Sequence, residues 1–307
     1  MRRLSHSNRT ANLTVAALLG RSARRLRRAG VHFGHGTDNA RDEAAALLWH
    51  VIGQPPAAPA VYSRRVSQRA QKRFEALLAR RIEERIPAVY LTRQCWFAGL
   101  PMYVDERVLI PRSPIAELVE RRFAPWIEAA RVRRILDLGT GSGCIAIACA
   151  CAFPHARVDA VDVSADALEV ASCNIDQHRL QRRVRALLSD HFAALGRASY
   201  DIIVSNPPYV GRRELKGLPA EYRHEPQVAL AAGSDGLDSV KAILRRAYAH
   251  LRPGGILVVE VGNTERLLRR AFPRLPFVWL SFQRGGGGVF LLEREQLARP
   301  RPLVKDG

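Results

Sequence analysis

The spacing of apolar positions changes twice along the chain, and each change marks a different kind of structure. Up to about Pro87 the period is helical. Ala44, Leu47, Leu48, Val51 and Ile52 follow the capping residues Asp38 and Asn39, and Phe74, Leu77, Leu78 and Ile82 form a second stripe. Such stripes are buried helix faces, not a cofactor box. Residues 53–59 read as a turn-rich connection. Over 89–97 and 102–110 the pattern alternates on either side of Ala98-Gly99-Leu100-Pro101, which predicts a hairpin bridging two domains. From Arg131 onward, strand-like runs alternate with helix-compatible stretches, which predicts an open α/β sheet with its ligands at the carboxyl ends of the strands. The last two runs, 277–282 and 289–293, flank four glycines and predict an antiparallel hairpin at the sheet edge. The expected organisation is a helical domain over 1–87, the bridging hairpin over 88–112, an α/β domain over 113–297 and a disordered Arg/Pro-rich tail over 298–307.

Three strand ends carry chemistry. Asn206-Pro207-Pro208-Tyr209 follows the run from Tyr200 to Ser205. The Asn206 side-chain carbonyl accepts one N–H of a planar NH2 group, and the neighbouring peptide carbonyls are available for the other. The two prolines fix their own backbone angles and hold Asn206 extended, so these acceptors are organised before a substrate arrives. Tyr209 offers a flat face for an amide or a base. Taken alone, the tetrapeptide also fits an ordinary turn after a strand.

Upstream, the run from Arg134 to Leu138 leads into Gly139-Thr140-Gly141-Ser142-Gly143 and then an apolar stretch from Cys144 to Ala152. This strand, glycine turn and helix lets the backbone approach a ligand and aims helix N–H groups at it. The spacing is Gly-x-Gly-x-Gly, not the dinucleotide Gly-x-Gly-x-x-Gly. A further strand ends in Asp162, roughly twenty residues on, where a ribose diol is held; the alternative is a helix N-cap, for which Ser164 serves equally well.

Glycine turn, ribose acid and Asn-Pro-Pro-Tyr together resemble the class I methyltransferases that use S-adenosylmethionine, which implies a Rossmann-like sheet with an antiparallel edge hairpin behind the small N-terminal helical domain. The cofactor-binding set implied by the resemblance is Asp137, Gly139, Thr140, Gly141, Ser142, Gly143, Asp162, Asp190, His191 and Asn206, and the catalytic set is Asn206, Pro207, Pro208 and Tyr209. The product is then S-adenosylhomocysteine, and no metal is expected. A wider likeness covers nearly the whole chain. The stretch from Tyr103 through Asp105, Arg107 and Ile110 to Arg112, together with Tyr222-Arg223-His224-Glu225-Pro226 and Ala232-Gly233-Ser234-Asp235-Gly236-Leu237-Asp238, is similar to the glutamine methyltransferases of the translation apparatus. Pro111-Arg112-Ser113-Pro114 stands where the release-factor branch has Pro-Arg-Pro followed by an acid. With His35-Gly36-Thr37-Asp38-Asn39, it points to the branch acting on large-subunit ribosomal protein L-three. Gly285-Gly286-Gly287-Gly288 departs from a pattern in which an acid often interrupts the glycines. The alternatives are a release-factor glutamine as substrate, a nucleic-acid adenine amine, and an RNA-associated assembly factor without activity; the intact tetrapeptide argues against the last.

Composition adds bounds. The chain has 307 residues, 47% of them hydrophobic, and no long apolar run, which fits a globular protein without a membrane span. An apolar patch from Leu13 to Leu19 is followed at once by Arg21, Arg24, Arg25, Arg27 and Arg28, a pattern of an amphipathic basic helix, not a secretory signal. Five cysteines without a Cys-x-x-Cys argue against a disulfide framework or zinc site and for the cytoplasm, with Cys144 and Cys151 expected to pack as small apolar groups on one helix. A net charge of +19 fits phosphate affinity, with that arginine run as the contact for ribosomal RNA, and equally fits a composition bias toward arginine.

Overall fold

The computed structural model describes residues 13–53 and 59–298. The chain divides into two compact units, Met1–Arg93 and Gln94–Gly307.

The first unit is helical, with α1 (Val15–Arg28), α2 (Ala40–Ile52), α3 (Gln68–Glu83) and α4 (Ala88–Thr92). Side chains cap three of these helices: Thr14 accepts from the Ala17 amide, Asn39 from those of Arg41 and Asp42, and Ser67 from that of Ala70. Gly53 closes α2 in the left-handed conformation. The residues from His35 to Asn39 are thus a turn and a cap. A Cβ at Gly36, whose φ is +95°, would come within 2.8 Å of the Val89 side chain. Val15, Leu18, Leu19 and Leu26 pack with Ala44, Leu47, Leu48, Phe74 and Leu78, so both predicted stripes are core.

The predicted strand over 89–97 begins late. Pro87 starts a helical turn, accepting from the Tyr90 and Leu91 amides, and α4 ends at Arg93, whose φ is +55°. Only β1 (Gln94–Phe97) pairs with β2 (Leu100–Tyr103). The second arm also stops early, because the Asp105 carboxylate accepts from the Arg107 amide and guanidinium and bends the chain into a turn. Of the expected tail, all but Ala298 lies outside the described residues, as do the residues at 54–58 of the connection.

The second unit continues with α5 (Ile115–Glu120), β3 (Arg134–Leu138), α6 (Cys144–Ala152), β4 (Arg157–Asp162), α7 (Ala165–Gln177), β5 (Val184–Leu188) and β6 (Tyr200–Ser205). It ends with α8 (Arg212–Leu215), α9 (Asp238–His250), β7 (Leu251–Glu260), α10 (Glu265–Ala271), β8 (Val278–Leu280), β9 (Val289–Glu293) and α11 (Arg294–Leu297). The sheet has seven strands in the order β5-β4-β3-β6-β7-β9-β8. All neighbours are parallel except β7 with β9 and β9 with β8, which gives the class I methyltransferase sheet with its antiparallel edge. The chain winds outward from β3 to β4 and β5, then returns to β6 on the other flank. A crevice therefore opens at the carboxyl ends of β3 and β6, the place where open α/β sheets bind ligands.

Helix α6 is buried along almost its whole length, with Cys144 and Cys149 inside. Cys151 departs from the expectation: it lies in the last turn and is exposed, so Cys149 is the residue that packs inside with Cys144. Among the described residues, no helix is long and apolar enough to cross a membrane.

One polar contact inside the helical unit is decisive for its stability. Arg81, fully buried on α3, donates to Glu43 on α2 at 2.6 Å and to the His32 carbonyl at 2.6 Å. Removing the acid strands a buried guanidinium, at a cost of about 3–5 kcal/mol. Chemical denaturation of Glu43→Ala is expected to show that loss; a change below about 1 kcal/mol, the value for a surface pair, is the contrary result.

Candidate active site

Strands β3 and β6 run side by side in register, with Leu138 opposite Ser205. The Ser205 hydroxyl donates to the Leu138 carbonyl at 2.7 Å and ties the two strand ends together. The glycine turn and the Asn-Pro-Pro segment start one residue later on each strand. A Cβ placed on Gly139 would stand 3.8 Å from the Pro207 Cα and 3.9 Å from the Asn206 carbonyl oxygen, so the two motifs are in van der Waals reach.

The glycine turn is held from beneath by acids. Gly139, Gly141 and Gly143 have φ of +70°, +54° and +80°, which L side chains rarely adopt. The Gly139 and Thr140 amides both donate to the Val161 carbonyl at the end of β4. Asp137 does not line the cavity described below. Its carboxylate accepts from the Thr140 hydroxyl at 2.6 Å and the Ala146 amide at 3.0 Å, so it braces the turn and satisfies the start of α6. Burial pushes Asp137 up to about 7, against those two hydrogen bonds. Asp162 accepts from the Gly141 amide at 2.8 Å and the Ser164 amide at 2.9 Å. Burial raises its pKa, with these bonds opposing. With backbone bonds from Ser164, Gly141 and Val163, the carboxylate still keeps acceptor capacity for a ligand hydroxyl. Ser164, not Asp162, caps α7.

Asp190 and His191 stand beyond β5, with His191 Nδ1 2.5 Å from the Asp190 carboxylate. His191 sits at a φ of +48°, a sparsely populated conformation for a residue with a side chain. The Asn206 Oδ1 atom is buried and has no hydrogen-bond partner among the described residues. An orphaned acceptor of this kind costs about 1–3 kcal/mol, which an incoming N–H donor recovers.

Gly139, Gly141, Asp162, Asp190, His191, Asn206, Pro207 and Pro208 all line one cavity of about 230 Å³. Arg107, Val108 and Leu109 close one side of it, and Val228, Ala229 and Ala231 another. Thr140, Ser142, Gly143 and Tyr209 do not line it. Gly143 has no room for a side chain there, since a Cβ would meet Ala171 at 3.2 Å. Tyr209 turns away: its hydroxyl donates to Glu260 at 3.1 Å, and a Cβ on Gly262 would come within 2.5 Å of its ring. The hydroxyl and one ring edge of Tyr209 are thus committed to internal contacts.

Residues 17–92 match the PrmC N-terminal domain and 121–218 the methyltransferase small domain. The ribosomal protein uL3 glutamine methyltransferase of Neisseria meningitidis serogroup B is 48% identical over 92% of this chain and 94% of its own length. The enzyme of the same description from Neisseria gonorrhoeae is 47% identical over 92% of this chain and 95% of its own. This chain belongs to the glutamine methyltransferase family. The hMettl16 catalytic domain, solved with the MAT2A 3'UTR hairpin 6, aligns over 73% of this methyltransferase and 81% of that chain, at 18% identity and TM-score 0.49.

Several residues outside the lining of this methyltransferase's cavity tie distant segments together. Asn174 on α7 brackets Tyr103, accepting from its amide at 2.7 Å and donating to its carbonyl at 2.9 Å, and also donates to the Ser142 carbonyl at 2.9 Å. It thereby ties the segment after β2 to the glycine turn. Arg112 grips Glu225 with two bonds, of 2.5 and 2.8 Å, and lies over the Tyr222 ring. In the sequence, Arg112 and Glu225 showed only as parts of two separate family segments, because the pairing spans more than a hundred residues.

Asp137 makes stability depend on pH. Its folded pKa lies above its ordinary value, so the folded state binds more protons than the unfolded chain between pH about 4 and about 7, and stability falls as pH rises through that window. A rise from 3.8 to about 7 corresponds to on the order of 4 kcal/mol. Asp137→Asn cannot titrate. The wild type is expected to lose ground against it in thermal denaturation from pH 4 to pH 7, measured without cofactor; a gap independent of pH would remove the argument.

Proposed function

We propose that this methyltransferase transfers a methyl group from S-adenosylmethionine to the side-chain amide nitrogen of a glutamine in ribosomal protein uL3. The observation that carries the reading is the buried, partnerless Asn206 Oδ1 in the cavity that the glycine turn and Asp162 also line. The substrate comes from the relatives: two enzymes at 47–48% identity over nearly the full length bear uL3 in their names.

The residues fit that cofactor. Asp162 retains acceptor capacity for a ribose diol, and the open Gly141, where a Cβ would meet nothing within 4 Å, leaves the backbone accessible. Asp190 and His191 stand where an adenine amino group and ring would be received. The cofactor, when bound, supplies an electrophilic methyl on sulfur. The chain does the rest by holding the amide. Asn206 Oδ1 and the carbonyl of the Asn206-Pro207 peptide accept the two amide N–H groups, which orients the nitrogen and stabilises the positive charge that develops on it. Orientation alone can contribute about 7–11 kcal/mol of a barrier. Asn206→Ala is expected to bind cofactor normally and lose turnover on uL3 by a factor on the order of 100 or more. Near-normal turnover, or methyl found on a release factor and not on uL3, would overturn the assignment.

The basic helix gives a second, separable contact. On α1, Arg21, Arg24, Arg27 and Arg28 are exposed, whereas Arg25 is committed to Glu75 and leaves the set. The four exposed arginines fit the phosphates of ribosomal RNA around the substrate protein. Reversing them to Glu is expected to weaken binding to ribosomal precursor particles at low salt and to flatten its salt dependence, with activity on free uL3 intact. Binding equal to wild type at low salt would refute the contact.

A further inference from the structure

Glu260 ends β7, is 6% exposed and does not line the cavity. Its carboxylate faces two donors. Ser113 Oγ lies 2.5 Å from one oxygen and the Tyr209 hydroxyl 3.1 Å from the other. Ser113 Oγ donates to Glu260 and accepts from the Ile115 amide at 3.2 Å, so it links the carboxylate to the start of α5. Among the described residues no side chain makes a direct ion pair with Glu260; the Arg112 guanidinium, bonded to Glu225, lies near enough to favour its charge but not to hold it. What holds the buried carboxylate in place is its two hydroxyl donors.

This link ends on the catalytic tetrapeptide. Tyr209 is fixed at three points: its hydroxyl on Glu260, its ring edge against Gly262 and its carbonyl against Gly236, where a Cβ would collide with it. Gly288, in the run of four glycines, lies against Gly262 in turn, and the Val261 amide donates to its carbonyl at 2.7 Å. On the far side of Tyr209, Val210 exchanges backbone bonds with Leu230 and Ala232, flanking Ala231 of the cavity wall. The place of the Tyr209 ring therefore sets the path of the chain from Asn206 to Val210.

We propose that Ser113 and Glu260 form a positioning device for methyl transfer: they lock Tyr209, and through it the Asn206 and Pro207 acceptors, without touching substrate or cofactor. The proposal rests on Asn206 being the residue that holds the amide.

The test is steady-state kinetics with uL3 and S-adenosylmethionine for Ser113→Ala, Ser113→Thr, Glu260→Gln, Tyr209→Phe and the Glu260→Gln/Tyr209→Phe double variant. Ser113→Ala, Glu260→Gln and Tyr209→Phe are each expected to lower kcat about 3- to 10-fold, the rate equivalent of one net hydrogen bond. The cofactor KM stays within about 2-fold of wild type, and Ser113→Thr, which keeps the hydroxyl, stays near wild type. In the Tyr209→Phe background Glu260→Gln has no further effect, because the two act through one bond. Effects that multiply in the double variant, a rise in cofactor KM that accounts for the loss, or a Ser113→Ala enzyme as fast as Ser113→Thr would each overturn the proposal. Should Glu260→Gln not fold, the two Ser113 variants and Tyr209→Phe still decide it. Asn206→Ala separates the two failures: if it stays active the amide assignment falls, and if it is inactive while these variants are normal only the positioning role falls.

Discussion

The parallel pairing of β3 with β6 is the constraint on which the site depends. Two segments about seventy residues apart in sequence each leave the sheet at the same level, Leu138 opposite Ser205, and the Ser205 hydroxyl on the Leu138 carbonyl removes what play remains. Sheet order makes this pair the point where the chain changes direction, so no crossover helix fills the space above it. A register slip of one residue would turn every side chain of β6 to the opposite face and carry Asn206 away from the glycine turn. The burial of Ile202, Ile203 and Val204 against β3 and β7 opposes such a slip.

Around that pair the molecule spends buried charge on geometry. Asp137, Asp162 and Glu260 are carboxylates whose pKa values burial raises, and among the described residues none of them makes a direct ion pair, although the Arg112 charge reaches Glu260. Each instead collects neutral donors: Thr140 and Ala146 for Asp137, Gly141 and Ser164 for Asp162, Ser113 and Tyr209 for Glu260. The first two fix a turn whose glycines would otherwise sample many conformations. The third fixes the segment that faces it. Preorganised acceptors lower a barrier because they need no rearrangement as charge develops, and these acids are what keeps the glycine turn and the Asn-Pro-Pro segment in place.

The helical unit follows a different logic. Its folding information is local, in caps at Thr14, Asn39 and Ser67 and in apolar stripes at helical spacing, and it was readable for that reason. Its long-range polar ties, Arg81 to Glu43 and Arg25 to Glu75 among them, left no trace in the pattern. The hairpin was legible only at its centre. Alternation suggested longer arms, but Pro87 and Asp105 redirect the backbone through hydrogen bonds that alternation does not encode.

What the sequence determined by itself is the set of local commitments: which strands end in glycine, acid or Asn-Pro-Pro, where helices begin, and, through those motifs, the family and its chemistry. Each depends on neighbours within a few residues, where backbone angles and capping are settled. Tertiary structure alone decided which of those residues reach a common space. It brought Gly139 to Pro207, set Asp137 beneath the turn, bonded Tyr209 to Glu260, exposed Cys151 and gave Arg25 to Glu75. The reason is physical: whether a polar group serves a ligand or the fold depends on which donors burial leaves beside it, and those arrive from strands and helices far away in the chain.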